Sequence, residues 1–484
     1  MYGRFYSSLL LISGVILLVF SLLAAIREVS PEWKGYQSRY RELFMEKAQG
    51  EFMKEKARAV DYGVRQIYLR DLDRIDRCTS CHLGVENPLM EGAEKPFTRH
   101  SGDYLINHSV NEFGCTVCHY GQGRATNSSE AHGIDRETYW NYPVAPLKYI
   151  ESSCAQCHDL NMLEEEGASS VVMGERLFGE KGCRGCHKLD GVGGVLGKPL
   201  DGIGSQPVAY FPMRHVEGEK TTYTWLKEHF DDPRAVVPDS QMRVVGMTEE
   251  EADHLTTYVL TIRTREMPRK YRRLAPEPPE DMTGEYLYRM YCIACHTTGE
   301  HSVYDEIFGR TIPAVRNPSF LKVTDNRQLK KFIEDGRPET QMTDWKADAA
   351  GLKDSEIDRI VEYLGQGRPD ELPEPFVLSI DDGNVENGQE LYQVRCALCH
   401  GKDGKGGHGV LGISLTNQVV QRADPQFLLL TVRDGRAGTP MVPFGETGLN
   451  LSDQEILDVV AYVRAMAIRV ADGKQDAGVR QQND

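Results

Sequence analysis

All twelve cysteines of the 484-residue chain fall in six copies of one pentapeptide, Cys-x-x-Cys-His, and none is left over. The copies are Cys78, Cys81 and His82; Cys115, Cys118 and His119; Cys154, Cys157 and His158; Cys183, Cys186 and His187; Cys292, Cys295 and His296; and Cys396, Cys399 and His400. Positions i, i+3 and i+4 of a helical turn share one face, so two thiols and an imidazole can address one flat ligand from the same side. Thiols that bond to vinyl carbons beside an imidazole that binds iron are the chemistry of covalent c-type haem attachment. Six copies therefore predict six haem c groups, each with its motif histidine as one axial ligand. At the chain's own Cys and His frequencies, on the order of 0.01 copies would arise by chance. With no spare cysteine a disulfide scaffold is excluded, and the motifs do not pair into the Cys-x-x-Cys…Cys-x-x-Cys sites that zinc fingers need.

The elements that must position these residues form an internal repeat in the second half of the chain. Gly174-x-x-x-Phe178 precedes Cys183, Gly284-x-x-x-Tyr288 precedes Cys292, and Gly388-x-x-x-Tyr392 precedes Cys396. Each unit closes with an amphipathic helix carrying an aromatic, Tyr258, Tyr363 or Tyr462. These helices are expected to start at cap-forming residues, Thr248, Asp354 or Ser355, and Ser452, with acidic first turns. The aromatics are expected to pack the first and last helices of each unit together.

Over roughly residues 170 to 470 the sequence resembles the class I cytochrome c family three times in tandem. The resemblance implies small all-α domains whose second axial ligand is a methionine on a loop before the last helix. Carried over, it gives Met441 in Thr439-Pro-Met-Val-Pro443 and Met342 in Thr340-Gln-Met-Thr-Asp-Trp345, both twenty-one positions before the closing tyrosine. In the first unit it gives Met242 in Pro238-Asp-Ser-Gln-Met, with Met247 as a rival; Arg243 and Thr343 stand where the family often has a proline. Most of the 15 methionines are expected to be core filler.

The first three motifs lack the glycine-aromatic lead-in, and the chain from Arg77 to Leu160 is loop-rich. So short a stretch can bury little apolar surface, leaving stacked haems to supply its core. It holds three histidines outside the motifs, His100, His108 and His132. Three haems need three further ligands, so the count predicts three bis-histidine haems, with the pairing open. His215, His229, His254, His301 and His408 have no required role; His408, in a glycine-rich loop, is the most plausible exception.

From Phe5 to Ile26 the chain carries no charge, and at 1.5 Å per residue that is about 33 Å, enough to cross a hydrocarbon core. An uncleaved anchor is favoured over a signal peptide, because no small-x-small cleavage site follows it. The expected architecture is mainly α: a transmembrane anchor at 1–27, a charged helical stalk at 28–76, a trihaem module at 77–162, cytochrome c domains at 168–265, 281–366 and 385–470, and a disordered tail at 471–484. Proline-rich linkers, Thr264 to Asp281 and Gln366 to Val385, are expected to be extended.

Six candidate distal ligands for six irons would leave none open, which is the pattern of electron transfer. Ligation by His and Met raises the reduction potential relative to two histidines, so electrons are expected to run from the N-terminal haems to the C-terminal ones. The N-terminal module, in Arg77-Cys-Thr-Ser-Cys-His-Leu-Gly84, Phe113-Gly-Cys-Thr-Val-Cys-His-Tyr-Gly-Gln-Gly-Arg124, Ala131-His-Gly133 and Ile150-Glu-Ser-Ser-Cys-Ala-Gln-Cys-His158, is similar to the multihaem cytochrome subunits found beside cytochrome b in bacterial quinol-oxidising complexes. That likeness implies a cytochrome b or other quinone-binding partner, an electron-transfer subunit rather than a lone catalyst, and a single-pass protein of the bacterial inner membrane with its haems on the periplasmic side. The alternatives are a self-sufficient quinol dehydrogenase resembling the single-helix tetrahaem family, which starts its four haems closer to the anchor, and a peroxidase- or nitrite-reductase-type haem enzyme with one ligand missing.

The composition of the whole chain, 40% apolar and 26% charged, is that of a water-soluble protein, and a formal charge of -16 argues against a nucleic-acid partner. Haem propionates add to that charge unless arginines and lysines neutralise them. An acidic surface steers a basic acceptor, soluble or membrane-bound. Transfer rates to such an acceptor are expected to fall as ionic strength rises in stopped-flow measurements, and rates independent of salt would refute the steering.

Overall fold

The computed structural model describes residues 2–29, 31–133, 140–264, 267–272, 282–337, 340–370, 373–377, 379–406, 412–437 and 439–480. It is mainly helical, with two short antiparallel hairpins among the described residues. The chain divides into two compact units, one comprising Met1–Gly174, Gly202–Pro238 and Met247–Ala275, the other Glu175–Asp201, Asp239–Gly246 and Pro276–Asp484.

The first unit begins with α1 (Tyr2–Val29), whose segment Ser8–Ala25 is uncharged and wholly exposed. It is one helix long and apolar enough to cross a membrane. The next stretch, expected to be a charged stalk, is instead part of a core. In α2 (Glu32–Lys47) and α3 (Gly50–Arg58), Tyr40, Leu43, Phe44 and Ala57 are buried with Leu83, Met90 and Phe97. Gln37 of α2 is fully buried, donating to the carbonyls of Gly63 (2.7 Å) and Ser80 (3.0 Å) and accepting from the Gly63 N–H (2.9 Å). Because Ser80 lies within the first motif, α2 braces that motif directly. Tyr40, Leu43 and Phe44 share one face of α2, and that face, not solvent, decides the packing.

A hairpin of β1 (Ile67–Leu69) and β2 (Arg74–Asp76), turned at Asp73 in a left-handed conformation (φ 50°), leads straight into the first motif. Among the described residues from Cys78 to Glu165 no regular element exceeds six residues. Of the proline-rich linker Thr264–Asp281, residues 265–266 and 273–281 lie outside the described residues. The part between them is docked rather than extended. Met267 is buried beside Leu69, Leu72 and Val117, and the Tyr271 ring lies 5.5 Å from that of Phe113.

Three closing helices and their opening partners share one geometric device. Helix α4 (Ser169–Glu180), whose first half belongs to the first unit, is crossed at Gly174 by α6 (Glu249–Val259), which follows α5 (Thr222–Asp231). In the second unit α7 (Gly284–Tyr291) is crossed by α9 (Asp354–Gly365), after α8 (Asn326–Asp335). Likewise α10 (Val385–Arg395) is crossed by α12 (Asp453–Arg480), after α11 (Pro425–Asp434). A β-carbon on Gly174, Gly284 or Gly388 would stand 2.1, 2.0 or 1.9 Å from the carbonyl oxygen of His254, Arg359 or Asp458. Only glycine lets the backbones meet this closely. The expected aromatic contacts follow, with Tyr288 and Tyr363 centred 5.6 Å apart and Tyr392 and Tyr462 5.4 Å apart.

Capping follows expectation at Thr248 and Ser452, each bonded reciprocally to a glutamate three residues on. The middle helix differs. Its cap is Lys353, ahead of both expected residues, Asp354 and Ser355, because the Glu356 carboxylate accepts the Lys353 N–H (2.7 Å). The second and third repeats are not beads on an extended linker. Leu321, Phe427, Phe444 and Leu457 share one buried cluster, and Phe376 of the linker is buried with its N–H and carbonyl bonded to the Gln426 side chain (2.8 and 2.7 Å). Residues 471–480, expected to be disordered, continue α12 as helix; no proline or glycine pair interrupts them.

Replacing Gly388 by alanine forces the α10–α12 crossing apart. We expect a loss of about 3 kcal/mol or more, the upper range for overpacking, read by denaturant unfolding of the full chain, with Gly14→Ala, whose β-carbon meets nothing, within about 0.5 kcal/mol of the parent.

Candidate functional site

Each pentapeptide is a single turn closed by the histidine N–H donating to the first cysteine's carbonyl at 2.9–3.0 Å. In such a turn positions i, i+3 and i+4 lie on one face. Burial pushes the thiols up, Cys81 and Cys396 to about 11 and Cys118, Cys183 and Cys292 to about 12. A redox dithiol needs the opposite, a depressed pKa. Cys295 departs from these, lowered to about 7 first by the Cys186 thiol and then by the Arg243 charge.

The three loop histidines of the first unit each face one motif histidine. His82 and His132 have ring centres 6.0 Å apart, His119 and His100 6.0 Å, and His158 and His108 5.9 Å, with interplanar angles of 69°, 65° and 79°. Two imidazole nitrogens each about 2 Å from one metal put ring centres about 6 Å apart, so all three pairs fit a single ion between them. The fold thus sets these six imidazoles in three facing pairs.

Which nitrogen faces the partner is fixed from behind. Nδ1 of His100, His108 and His132 sits on the carbonyls of Ser101 (2.8 Å), Tyr104 (3.0 Å) and Ser128 (2.8 Å). Nδ1 of His187, His296 and His400 sits on those of Lys198 (2.7 Å), Pro313 (3.1 Å) and Ile413 (3.0 Å). A carbonyl can only accept, so Nδ1 carries the proton and Nε2 keeps its lone pair, the arrangement of a metal-ligating histidine. Burial lowers the pKa of His82, His119, His187 and His400, and that of His296 to about 4, which keeps them neutral. The donor set therefore fits an iron-centred planar group.

Histidines without an expected role behave differently. His254 Nδ1 meets the Ser170 hydroxyl (2.9 Å) and the His229 ring stacks on Trp225 (4.4 Å); His215 and His301 are exposed, and His408 lies outside the described residues.

The three methionines share a turn. The backbone N–H of Met242, Met342 and Met441 donates to the hydroxyl two residues earlier, Ser240 (3.2 Å), Thr340 (3.1 Å) and Thr439 (3.1 Å). Met342 and Met441 pack against the buried cluster of the second unit. Arg243, which stands where a proline was expected, pairs with the buried Asp305 and donates to the Ala294 carbonyl (2.8 Å) inside the fifth motif.

One residue escaped sequence reading. Asp76, at the end of β2, is fully buried, and its carboxylate accepts the N–H groups of Cys78 (3.0 Å), Cys115 (2.7 Å) and Thr116 (2.8 Å). It ties the starts of the first and second motifs together, and the Asp76 oxygen and the Cys78 and Cys115 sulfurs lie within 4.8 Å of one another. In the second unit Cys186 and Cys295 are in hydrogen-bonding contact. A lone aspartate before a cysteine carries no sequence signal of such a role.

Residues 279–364 and 383–463 match the family model of cytochrome c oxidase, cbb3-type, subunit III, and residues 171–263 that of cytochrome c. The chain is 30% identical over 97 residues to cytochrome c-550 of Nitrobacter winogradskyi, covering 18% of the chain and 87% of that protein. It is 25% identical over 197 residues to the cbb3-type cytochrome c oxidase subunit CcoP of Rhodobacter capsulatus, covering 38% of the chain and 61% of that subunit's length. Among solved structures, a reducing HAO-like protein complex of Kuenenia stuttgartiensis aligns with 20% identity over 40% of the chain and 99% of that one (TM-score 0.28). The thiosulfate dehydrogenase TsdBA of Marichromatium purpuratum aligns with 16% identity over 61% and 70% (TM-score 0.22).

Replacing Asp76 by alanine strands three N–H groups, each costing about 1–3 kcal/mol when buried. We expect a loss of about 3–6 kcal/mol in denaturant unfolding of the mature protein. Asp76→Asn, which still offers one oxygen to Cys115 and Thr116, should lose about half as much.

Proposed function

The chain belongs to the multihaem c-type cytochromes, and from that premise we propose that it is a membrane-anchored carrier of six haem c groups, taking electrons from a quinol-oxidising membrane partner to a periplasmic acceptor. Haem c, when bound, supplies an iron that gains and loses one electron. The six cysteine pairs hold it covalently, and His82, His119, His158, His187, His296 and His400 present one axial nitrogen each. The opposite ligands are His132 to His82, His100 to His119, His108 to His158, Met242 to His187, Met342 to His296 and Met441 to His400.

The observation that carries this reading is the set of imidazole pairs at 5.9–6.0 Å. They use every loop histidine of the N-terminal stretch, so under this reading no iron there keeps an open coordination position. The shared Ser/Thr-x-Met turn supports Met242 over Met247 as the fourth site's partner. Close approach of consecutive attachment cysteines, Cys78 to Cys115 and Cys186 to Cys295, supports a relay within each unit. The uncharged, exposed span Ser8–Ala25 supports an anchor. A relative named as an oxidase subunit supports a multi-subunit redox assembly, in which a cytochrome b or other quinone-binding subunit would be the donor.

Ligand type sets the thermodynamic direction. His/Met ligation raises the potential relative to bis-histidine, so the N-terminal unit receives and the C-terminal unit delivers. A potentiometric titration followed by electron paramagnetic resonance should resolve six low-spin centres, with the three bis-histidine ones lowest. Finding the His/Met centres lowest overturns the direction, and a high-spin ferric signal shifted by cyanide or nitrite overturns the carrier reading in favour of a haem enzyme.

A further inference from the structure

Two arginines of the C-terminal unit hold charge that no described residue neutralises. Arg337 and Arg436 each follow a left-handed glycine, Gly336 (φ 59°) and Gly435 (φ 65°). Each opens a methionine loop, donating its backbone N–H to the carbonyl of Met342 (2.8 Å) or Met441 (2.7 Å). The Arg436 guanidinium lies over Phe320 (5.0 Å) and Phe427 (5.5 Å), and that of Arg337 over Phe332 (5.8 Å). The three rings form one cluster with centres 5.8–6.5 Å apart. Phe320 and Phe332 come from the second repeat and Phe427 from the third, so the guanidiniums flank one aromatic wedge where the repeats join.

Among the described residues no carboxylate pairs with either arginine, and Nε of Arg436 is sealed from solvent without a hydrogen-bond partner. Burial lowers both guanidiniums, and the charge of Arg337 helps bring Arg436 to about 10. Cation–π contact offsets only part of the cost of two desolvated like charges. Each arginine also stands close enough to the motif histidine of its own repeat, Arg337 to His296 and Arg436 to His400, to disfavour its protonation. Each arginine is thus joined through its backbone to the candidate methionine of its repeat, and its charge reaches the motif histidine.

A guanidinium fork matches a carboxylate bidentately, and the carboxylates delivered in fixed ratio beside those ligands are haem propionates. We propose that Arg337 and Arg436 form one anion site, shared between the second and third cytochrome repeats, that receives propionates of the haems attached at Cys292 and Cys396 and couples their potentials. This rests on the reading that His296 with Met342 and His400 with Met441 bind haem.

Haem staining and iron content of the purified full-length variants test that underlying reading, and redox titration tests the arginine site. A positive charge disfavours the oxidised iron, so Arg436→Gln should lower the potential of the Met441 centre by at least about tenfold in equilibrium constant, ~59 mV for one electron. The Met342 centre should shift in the same direction. Arg337→Gln should give the mirror result, and the double variant less than the sum. The lysine variants, which keep the charge, should retain most of the potential even if a glutamine variant folds poorly. Potentials unchanged at full haem content, or a shift confined to one centre, overturn the shared site. Replacing chloride by inorganic phosphate at constant ionic strength should leave the parent unchanged; a phosphate-dependent shift would mean that the pair takes a free anion instead.

Discussion

A backbone carbonyl behind an imidazole is the interaction on which the structure turns. Six of the histidines assigned to iron have Nδ1 on a main-chain oxygen at 2.7–3.1 Å. This bond chooses the tautomer, fixes the ring plane and leaves Nε2 directed away from the backbone. Everything that brings the right carbonyl to the right place is then functional. The helical turn ending at His132 places Ser128 four residues back; the one ending at His108 does the same with Tyr104. In the C-terminal repeats the acceptor lies on the loop after the motif, so that loop is fixed before any side chain on it matters.

That dependence explains what could be read from the sequence. The motifs were legible because covalent attachment demands fixed residue types at fixed spacing. The glycines before each motif were legible as a repeat, and their reason emerged only in three dimensions, where Gly284 and Gly388 pass within reach of opposing carbonyls. The methionine loops were legible through resemblance, yet a signal was present: Gly-Arg-x-x-Thr-x-Met occurs at 336–342 and at 435–441, and its arginine and threonine both bond within the loop. The histidine pairs were illegible, because carbonyl acceptors carry no residue identity and pairing depends on how short turns stack. Asp76 and Gln37 were illegible for a related reason. Each is a single polar residue with backbone partners tens of positions away.

The helix α2 shows how composition misleads. Its charged residues suggest a solvated rod, but Tyr40, Leu43 and Phe44 recur at helical spacing and pack with Leu83, Met90 and Phe97, which follow the first motif. A stripe of that width is enough for one-sided burial, and the charges simply occupy the other side. In the same way Met267 and Phe376 turn parts of two proline-rich linkers into packed segments. Proline sets local extension there, while one large apolar side chain decides whether the segment docks.

The two units reach stability by different means. In the C-terminal unit Leu287, Leu321, Ile357, Ile360, Leu429 and Leu457 are almost wholly buried, each contributing about 1.5–3 kcal/mol. The described residues from Cys78 to Glu165 include few such side chains and no helix beyond six residues. Under the proposed ligation its cross-links are the irons themselves. His82 to His132 and His108 to His158 each span fifty positions, and His100 to His119 spans nineteen. By the chain-entropy relation for covalent loops, closures of these lengths are worth about 4 and about 3 kcal/mol. The three loops interleave, because 100–119 lies inside 82–132 and 108–158 overlaps both. Removing any one distal histidine therefore loosens segments that hold the other two sites, so in this unit axial ligation is at once the redox chemistry and the tertiary structure.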